Sequence, residues 1–154
     1  MKYKDVPVEV KETDTFLITT SKGKIKIVLY PNDAPKTSRN FKRLVLLGFY
    51  DGLTFHRYVE NFVIQGGDPM GTGTGSSGST VPLEAKALHI EGAVGLARGP
   101  DPDSGSCQFY ITLAPQKSLD GEYAVFGKVI EGMKVVRELR KGDTIESIEL
   151  VAKK

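Results

Sequence analysis

The chain has 154 residues, a length that suggests one domain able to bury roughly 68–70% of its unfolded surface. Lys and Arg number 21 against 19 Asp and Glu, and the net charge of +2 gives no electrostatic footprint for nucleic acid. A single Cys excludes an internal disulfide and a Cys-based zinc site, and two His leave little for a His-rich one.

The predicted elements are mostly short strands. Residues 1–13 precede them and are expected as an N-terminal extension, either an extra strand or a flexible arm; residues 14–154 read as a single domain. Thr15–Thr20 and residues 24–30 are rich in β-branched and aromatic side chains, and Ser-Lys-Gly between them predicts a hairpin turn. Residues 35–47 break the pattern. Phe41, Leu44 and Val45 fall at helical spacing, Pro35 suits a first helical turn and Gly48 a C-terminal cap. Strands are expected again at 53–58, 62–65, 93–97, 108–113 and 123–130. A second helix is expected at 132–141, with Met133, Val136, Leu139 and Arg140 on one stripe and Gly142 as its stop. A last strand covers 144–152. Eight short strands outside any βαβ pattern favour a mainly β barrel or sandwich, and closure is the usual way to remove exposed edges.

Two features bear on location and composition. No apolar N-terminal run of about seven or more residues and no stretch near the ~20 of a membrane span is present, so a soluble, cytoplasmic protein is expected. Glycine is frequent, 17 residues, and tryptophan is absent. Residues 71–80 (GTGTGSSGST) form the one low-complexity stretch and read as a surface loop.

Several motifs are weaker than they look. Gly73-Thr-Gly75-Ser-Ser-Gly78 spells G-x-G-x-x-G, but no helix pattern follows and Pro69 and Pro82 flank it, so a dinucleotide site is not expected. Asp103-Ser-Gly-Ser-Cys107, with His56 and Asp68 upstream, offers the chain order His, Asp, Ser of a hydrolase. Such hydrolases usually need two barrels, and this length provides one. Cys107 reads as a half-buried structural thiol and His56 as a histidine hydrogen-bonded inside the fold. His89 falls in a loop with no partner that the sequence names.

Arg57 and Gln65 are more informative. At period two they project from adjacent strands onto one face, among Phe62, Tyr110 and Leu119. An arginine on an apolar, aromatic face is costly unless paired or working. No acidic residue stands out near it in these strands, which favours a working role.

Taken together, FHR at 55–57, FVIQGGD at 62–68, GLAR at 95–98, QFYI at 108–111 and LDGEYAVFGKV at 119–129 resemble the cyclophilin family of peptidyl-prolyl cis/trans isomerases. DAPKTSRNF at 33–41 fits that family's first helix, and the resemblance spans roughly residues 14 to 151. It implies a closed eight-stranded antiparallel barrel capped by two helices. It implies an isomerase of X-Pro bonds that assists folding, with proline-containing peptides and unfolded or folding proteins as partners, no cofactor and no metal. The implied catalytic set is Arg57, Phe62 and Gln65. The implied substrate-binding residues are Val63, Ala97, Arg98, Gln108, Tyr110, Leu119 and Tyr123. Val63 replaces a common Met and Tyr110 a common Phe; Arg98 and Tyr123 replace the Asn and His of many eukaryotic members, a choice similar to bacterial or archaeal ones. Ser118 stands where vertebrate cytosolic members have a Trp that helps bind cyclosporin, so weak cyclosporin binding is expected. A monomer is the default. A peptide-binding or chaperone module with little catalysis is the alternative.

Overall fold

The computed structural model describes residues 8–151. In chain order it holds β1 (Thr15–Thr20), β2 (Gly23–Leu29), α1 (Pro35–Leu46), β3 (Phe55–Val59), β4 (Val63–Gly66), β5 (Ala93–Leu96), β6 (Phe109–Thr112), β7 (Val125–Glu131), α2 (Met133–Glu138) and β8 (Ile145–Val151). The eight strands form one sheet in the order β3-β4-β6-β5-β7-β2-β1-β8, and every pairing is antiparallel.

The sheet curls into a half-barrel, so the expectation of full closure was too strong. Its edge strands β3 and β8 share no ladder. They meet at one end, where Thr54 bridges Thr144 and Ile145 N–H donates to the Leu53 carbonyl at 2.7 Å. Alternation puts Phe16, Ile18, Ile25, Ile27 and Leu29 inside β1 and β2, while β4, β5 and β6 are buried along their whole length. Continuous burial is what their unbroken apolar runs require.

Helix α1 seals the core and ties it to the groove. Pro35 occupies the first turn, where its missing N–H costs nothing. The Glu84 carboxylate caps that turn from a distant loop, accepting from Lys36 N–H at 3.2 Å and from Thr37 N–H at 2.7 Å. At the other end Gly48 takes φ +70°, the left-handed conformation expected of a C-terminal cap. Phe41 points inward to rings of Phe16, Tyr50, Phe109 and Phe126, with centroids 5.2–5.8 Å away. Asn40 donates to the Ser106 carbonyl at 2.6 Å and Tyr50 to the Cys107 carbonyl at 2.8 Å, which fixes the chain just before β6.

The β1–β2 turn, the end of α2 and the N-terminal extension differ from the sequence reading. The β1–β2 turn has two residues, because Gly23 joins the ladder opposite Thr20. Helix α2 ends at Glu138, not Lys141. The Asp143 carboxylate accepts from Arg140 N–H, Lys22 Nζ and Ser21 Oγ, and this turns the chain after the buried Leu139. Of the expected extension, residues 1–7 lie outside the described residues. Residues 8–13 add no strand; Lys42 Nζ donates to the Glu9 carbonyl at 2.7 Å and pairs with Asp14 at 2.6 Å, holding the segment against α1.

Candidate active site

Strand register places the first two site residues side by side. Arg57 of β3 pairs with Gln65 of β4, and Gln65 pairs with Tyr110 of β6. Period-two alternation therefore lines the three up on one face, as the spacing of Arg57 and Gln65 predicts. Arg57 Nη1 donates to Gln65 Oε1 at 3.3 Å, Gln65 Nε2 donates to Gln108 Oε1 at 3.1 Å, and Gln108 Nε2 donates to the carbonyls of Gly73 and Gly75 at 3.0 Å each. A continuous chain of hydrogen bonds thus runs from the guanidinium to the glycine-rich loop. On its other side the Arg57 guanidinium lies 5.7 Å from the centre of the Phe62 ring.

Beside this chain opens a pocket of about 220 Å³, lined by Arg57, Phe62, Val63, Gln65, Ala97, Arg98, Tyr110, Leu119 and Tyr123. Every one of these was singled out from the sequence. The remaining residue of that set, Gln108, lines an adjoining cavity of about 340 Å³ together with Gln65, Ala97 and Arg98. Phe62 stands in the β3–β4 turn and not in a strand, since Asn61 turns the chain with φ +59°.

The glycine-rich loop cradles an anion, and the anion is the protein's own. The buried Asp68 carboxylate accepts N–H bonds from Met70 at 2.8 Å, from Thr72 and Gly75 at 3.1 Å, and from Gly73. A Cβ on Gly75 would stand 1.8 Å from Asp68 Oδ1, so glycine is required there. Burial pushes the Asp68 pKa up, but the four N–H bonds outweigh it and hold the carboxyl below its ordinary value of 3.8. A lowered folded pKa means the stabilisation is complete above the ordinary value and is lost as pH falls through the folded one. Acid titration of folding below about pH 4 is therefore expected to show a steeper loss for wild type than for Asp68→Asn, which starts less stable. Equal acid slopes in the two proteins would contradict this.

The hydrolase constellation does not assemble. Asp68 is committed to the loop, Ser106 Oγ bonds Ser76 and Ser77, and Ser104 Oγ donates to the Asp101 carbonyl at 2.6 Å. Cys107 is fully buried, and burial pushes its thiol up to about 11, so it is inert at neutral pH. His56 differs from its expectation in that no well-formed hydrogen bond closes on either ring nitrogen among the described residues, although the Gln108 side chain acts on the ring.

The sequence reading missed His89. Its ring is buried and parallel to that of Tyr110, with centroids 5.9 Å apart. Asp120 Oδ1 accepts from both the His89 backbone N–H at 2.7 Å and Nδ1 at 2.9 Å. A carboxylate on Nδ1 makes that nitrogen the donor, and in the neutral ring this leaves Nε2 to accept from the Tyr110 hydroxyl at 2.7 Å. The extra hydroxyl of Tyr110 is thereby turned away from the pocket, and the ring forms the wall. Gly95 opposite is needed for the same fit, since a Cβ there would stand 2.2 Å from the Tyr110 ring. Tyr110→Phe leaves a buried imidazole nitrogen unpaired and is expected to cost about 1–3 kcal/mol in chemical denaturation. A loss below about 0.3 kcal/mol would show that the hydroxyl bond contributes nothing net.

The cyclophilin-type peptidyl-prolyl cis-trans isomerase family model matches residues 15–153. The chain belongs to the cyclophilin family. A peptidyl-prolyl cis-trans isomerase of Synechococcus elongatus is 44% identical over 138 residues, covering 88% of this chain and 94% of that one. Peptidyl-prolyl cis-trans isomerase B of Bacillus subtilis is 42% identical over 142 residues, covering 90% and 98%. Among solved structures, a cyclophilin-type isomerase of Cryptosporidium parvum superposes with a TM-score of 0.84 at 28% identity, over 92% of this chain and 99% of that one. A second structure of that isomerase, obtained in the presence of the dipeptide Ala-Pro, gives a TM-score of 0.83 at 29% identity over 90% and 99%. The cyclophilin fold thus accounts for the half-barrel, and the chain's activity is peptidyl-prolyl cis-trans isomerisation of the cyclophilin type. No helix among the described residues is long and apolar enough to cross a membrane.

Proposed function

We propose that the pocket beside Arg57 receives the proline ring and that Arg57, Phe62 and Gln65 carry the isomerisation. The observation that supports this most is the Arg57–Gln65–Gln108 chain, whose first two members stand in the pocket beside Phe62, Val63, Leu119 and the ring of Tyr110. Amide resonance sets a cis/trans barrier of about 18–20 kcal/mol. Twisting the bond localises a lone pair on the prolyl nitrogen, which exists as an acceptor only near the transition state. A guanidinium held at that point stabilises the twisted amide more than either planar isomer. Arg suits the role because it stays charged and offers several donors. Gln65 holds the guanidinium in place. Phe62, Val63, Tyr110, Leu119 and Tyr123 enclose the ring, while Ala97, Arg98 and Gln108 meet the residues that precede it.

The reading needs no cofactor and no metal. Proline-containing peptides and unfolded or folding chains are its substrates, residues 14–154 act as one domain, and the protein is a cytoplasmic monomer that binds neither nucleic acid nor membrane. Ser118 is exposed beside Leu119, where a Trp would add an apolar rim, so cyclosporin binds weakly. Inhibition at nanomolar cyclosporin in a titration of isomerase activity would contradict that point.

The alternative, a peptide-binding module with little catalysis, shares the pocket but not the need for a positioned guanidinium. NMR exchange on a short Ala-Pro peptide separates the two. Faster cis/trans exchange with catalytic amounts of protein supports the isomerase, and binding without faster exchange supports the module.

A further inference from the structure

Two charged side chains line the proline pocket and the cavity beside it, and both are arginines. Arg57 is assigned to the amide. Arg98 belongs to the walls of both spaces. That guanidinium is fixed in place. Nε and Nη2 donate to the Glu122 carbonyl at 3.1 and 2.8 Å, and Nη1 donates to the Gly99 carbonyl at 2.9 Å. Its plane covers the Tyr123 ring, 4.5 Å from the ring centre.

All of these partners are neutral. None of the ion pairs among the described residues includes Arg98 or Arg57. Of the nearby carboxylates, Asp68 is committed to the glycine-rich loop and Asp120 to His89, while Glu122 is exposed, offers Arg98 its backbone carbonyl and forms no ion pair with it. Three of five guanidinium N–H donors are used, so two remain with the full charge. The cavity next to it adds the side chains of Thr74, Ser76 and Ser104, and no carboxylate that would repel an anion. A rigid fork with spare donors and no counter-ion is pre-organised for a carboxylate.

We propose that Arg98 makes the groove selective for substrates with an aspartate or glutamate immediately before the proline. This rests on the proline ring occupying the pocket beside Arg57. The carboxylate pairs with the free edge of the Arg98 fork, and the main chain of the substrate continues into the larger cavity.

The test compares kcat/KM for three tetrapeptides, Ala-Glu-Pro-Phe, Ala-Gln-Pro-Phe and Ala-Ala-Pro-Phe. Glutamine matches glutamate in size and differs in charge. At low ionic strength wild type is expected to favour Glu over Gln about fivefold, the scale of a partly exposed ion pair. The ratio falls toward one at about 1 M salt, where the Debye length is about 3 Å. Arg98→Gln brings the low-salt ratio close to one, and Arg98→Lys keeps part of it. A wild-type ratio of one, or a ratio unchanged in Arg98→Gln, overturns the proposal. If none of the three peptides isomerises faster than in buffer, the proline-pocket reading fails and the proposal with it. Acceleration of the alanine peptide with no Glu preference removes the proposal alone.

Discussion

Arg57→Ala is expected to lower kcat/KM about 10²- to 10³-fold, the usual effect of deleting one donor aimed at charge that develops in the transition state. The loss should fall on kcat more than on KM. In the proposed binding mode the ring of the substrate proline is held by Phe62, Val63, Tyr110 and Leu119, which line the pocket and would touch planar and twisted amides alike. Arg57→Lys keeps the charge and loses the fork that Gln65 holds at 3.3 Å, so it should recover a minor part of the activity. A KM rise with unchanged kcat in Arg57→Ala would mean that the guanidinium binds ground state and transition state alike.

Phe41→Ala is expected to give the largest loss of stability. The side chain is 1% exposed and sits among the rings of Phe16, Tyr50, Phe109 and Phe126. Truncation removes the ring and leaves a cavity walled by β1, α1, β6 and β7, which cannot close without moving the sheet. The cost of such a change is about 3–5 kcal/mol. For a chain of this size it corresponds to a fall of roughly 6–20 °C in Tm. Phe109 precedes Tyr110, so loosening this ring cluster should also weaken the pocket wall. A Tm shift under about 2 °C in thermal unfolding would contradict the packing described.

Much of this was legible in the chain because it depends on local patterning. All eight expected strands agree with the observed ones within one or two residues at each end, since β-branched runs bounded by Gly and Pro encode them locally. The strand expected from residue 123 begins at Val125, and Tyr123 lies outside it with its ring under the Arg98 guanidinium. The Arg57 and Gln65 pair was also legible, because a two-residue period and a short turn suffice to set their register.

What was not legible depends on long-range partners. His89 meets Tyr110 and Asp120 across 21 and 31 residues of chain, through loops without periodicity. Glu84 caps α1 from 47 residues away. Asp68 was visible only as part of a motif. Its function as the organiser of the glycine-rich loop depends on a loop conformation that no local pattern specifies. The incomplete closure likewise depends on how far the sheet curls, a sum of twists over eight strands.

The most direct test of the account follows refolding of a protein whose slow phase is limited by X-Pro isomerisation, with catalytic amounts of wild type and of Arg57→Ala side by side. The uncatalysed phase lasts tens to hundreds of seconds. Wild type is predicted to shorten it in proportion to its concentration, and the folded Arg57→Ala variant to leave it nearly unchanged. Equal acceleration by the two proteins would contradict the role given to Arg57.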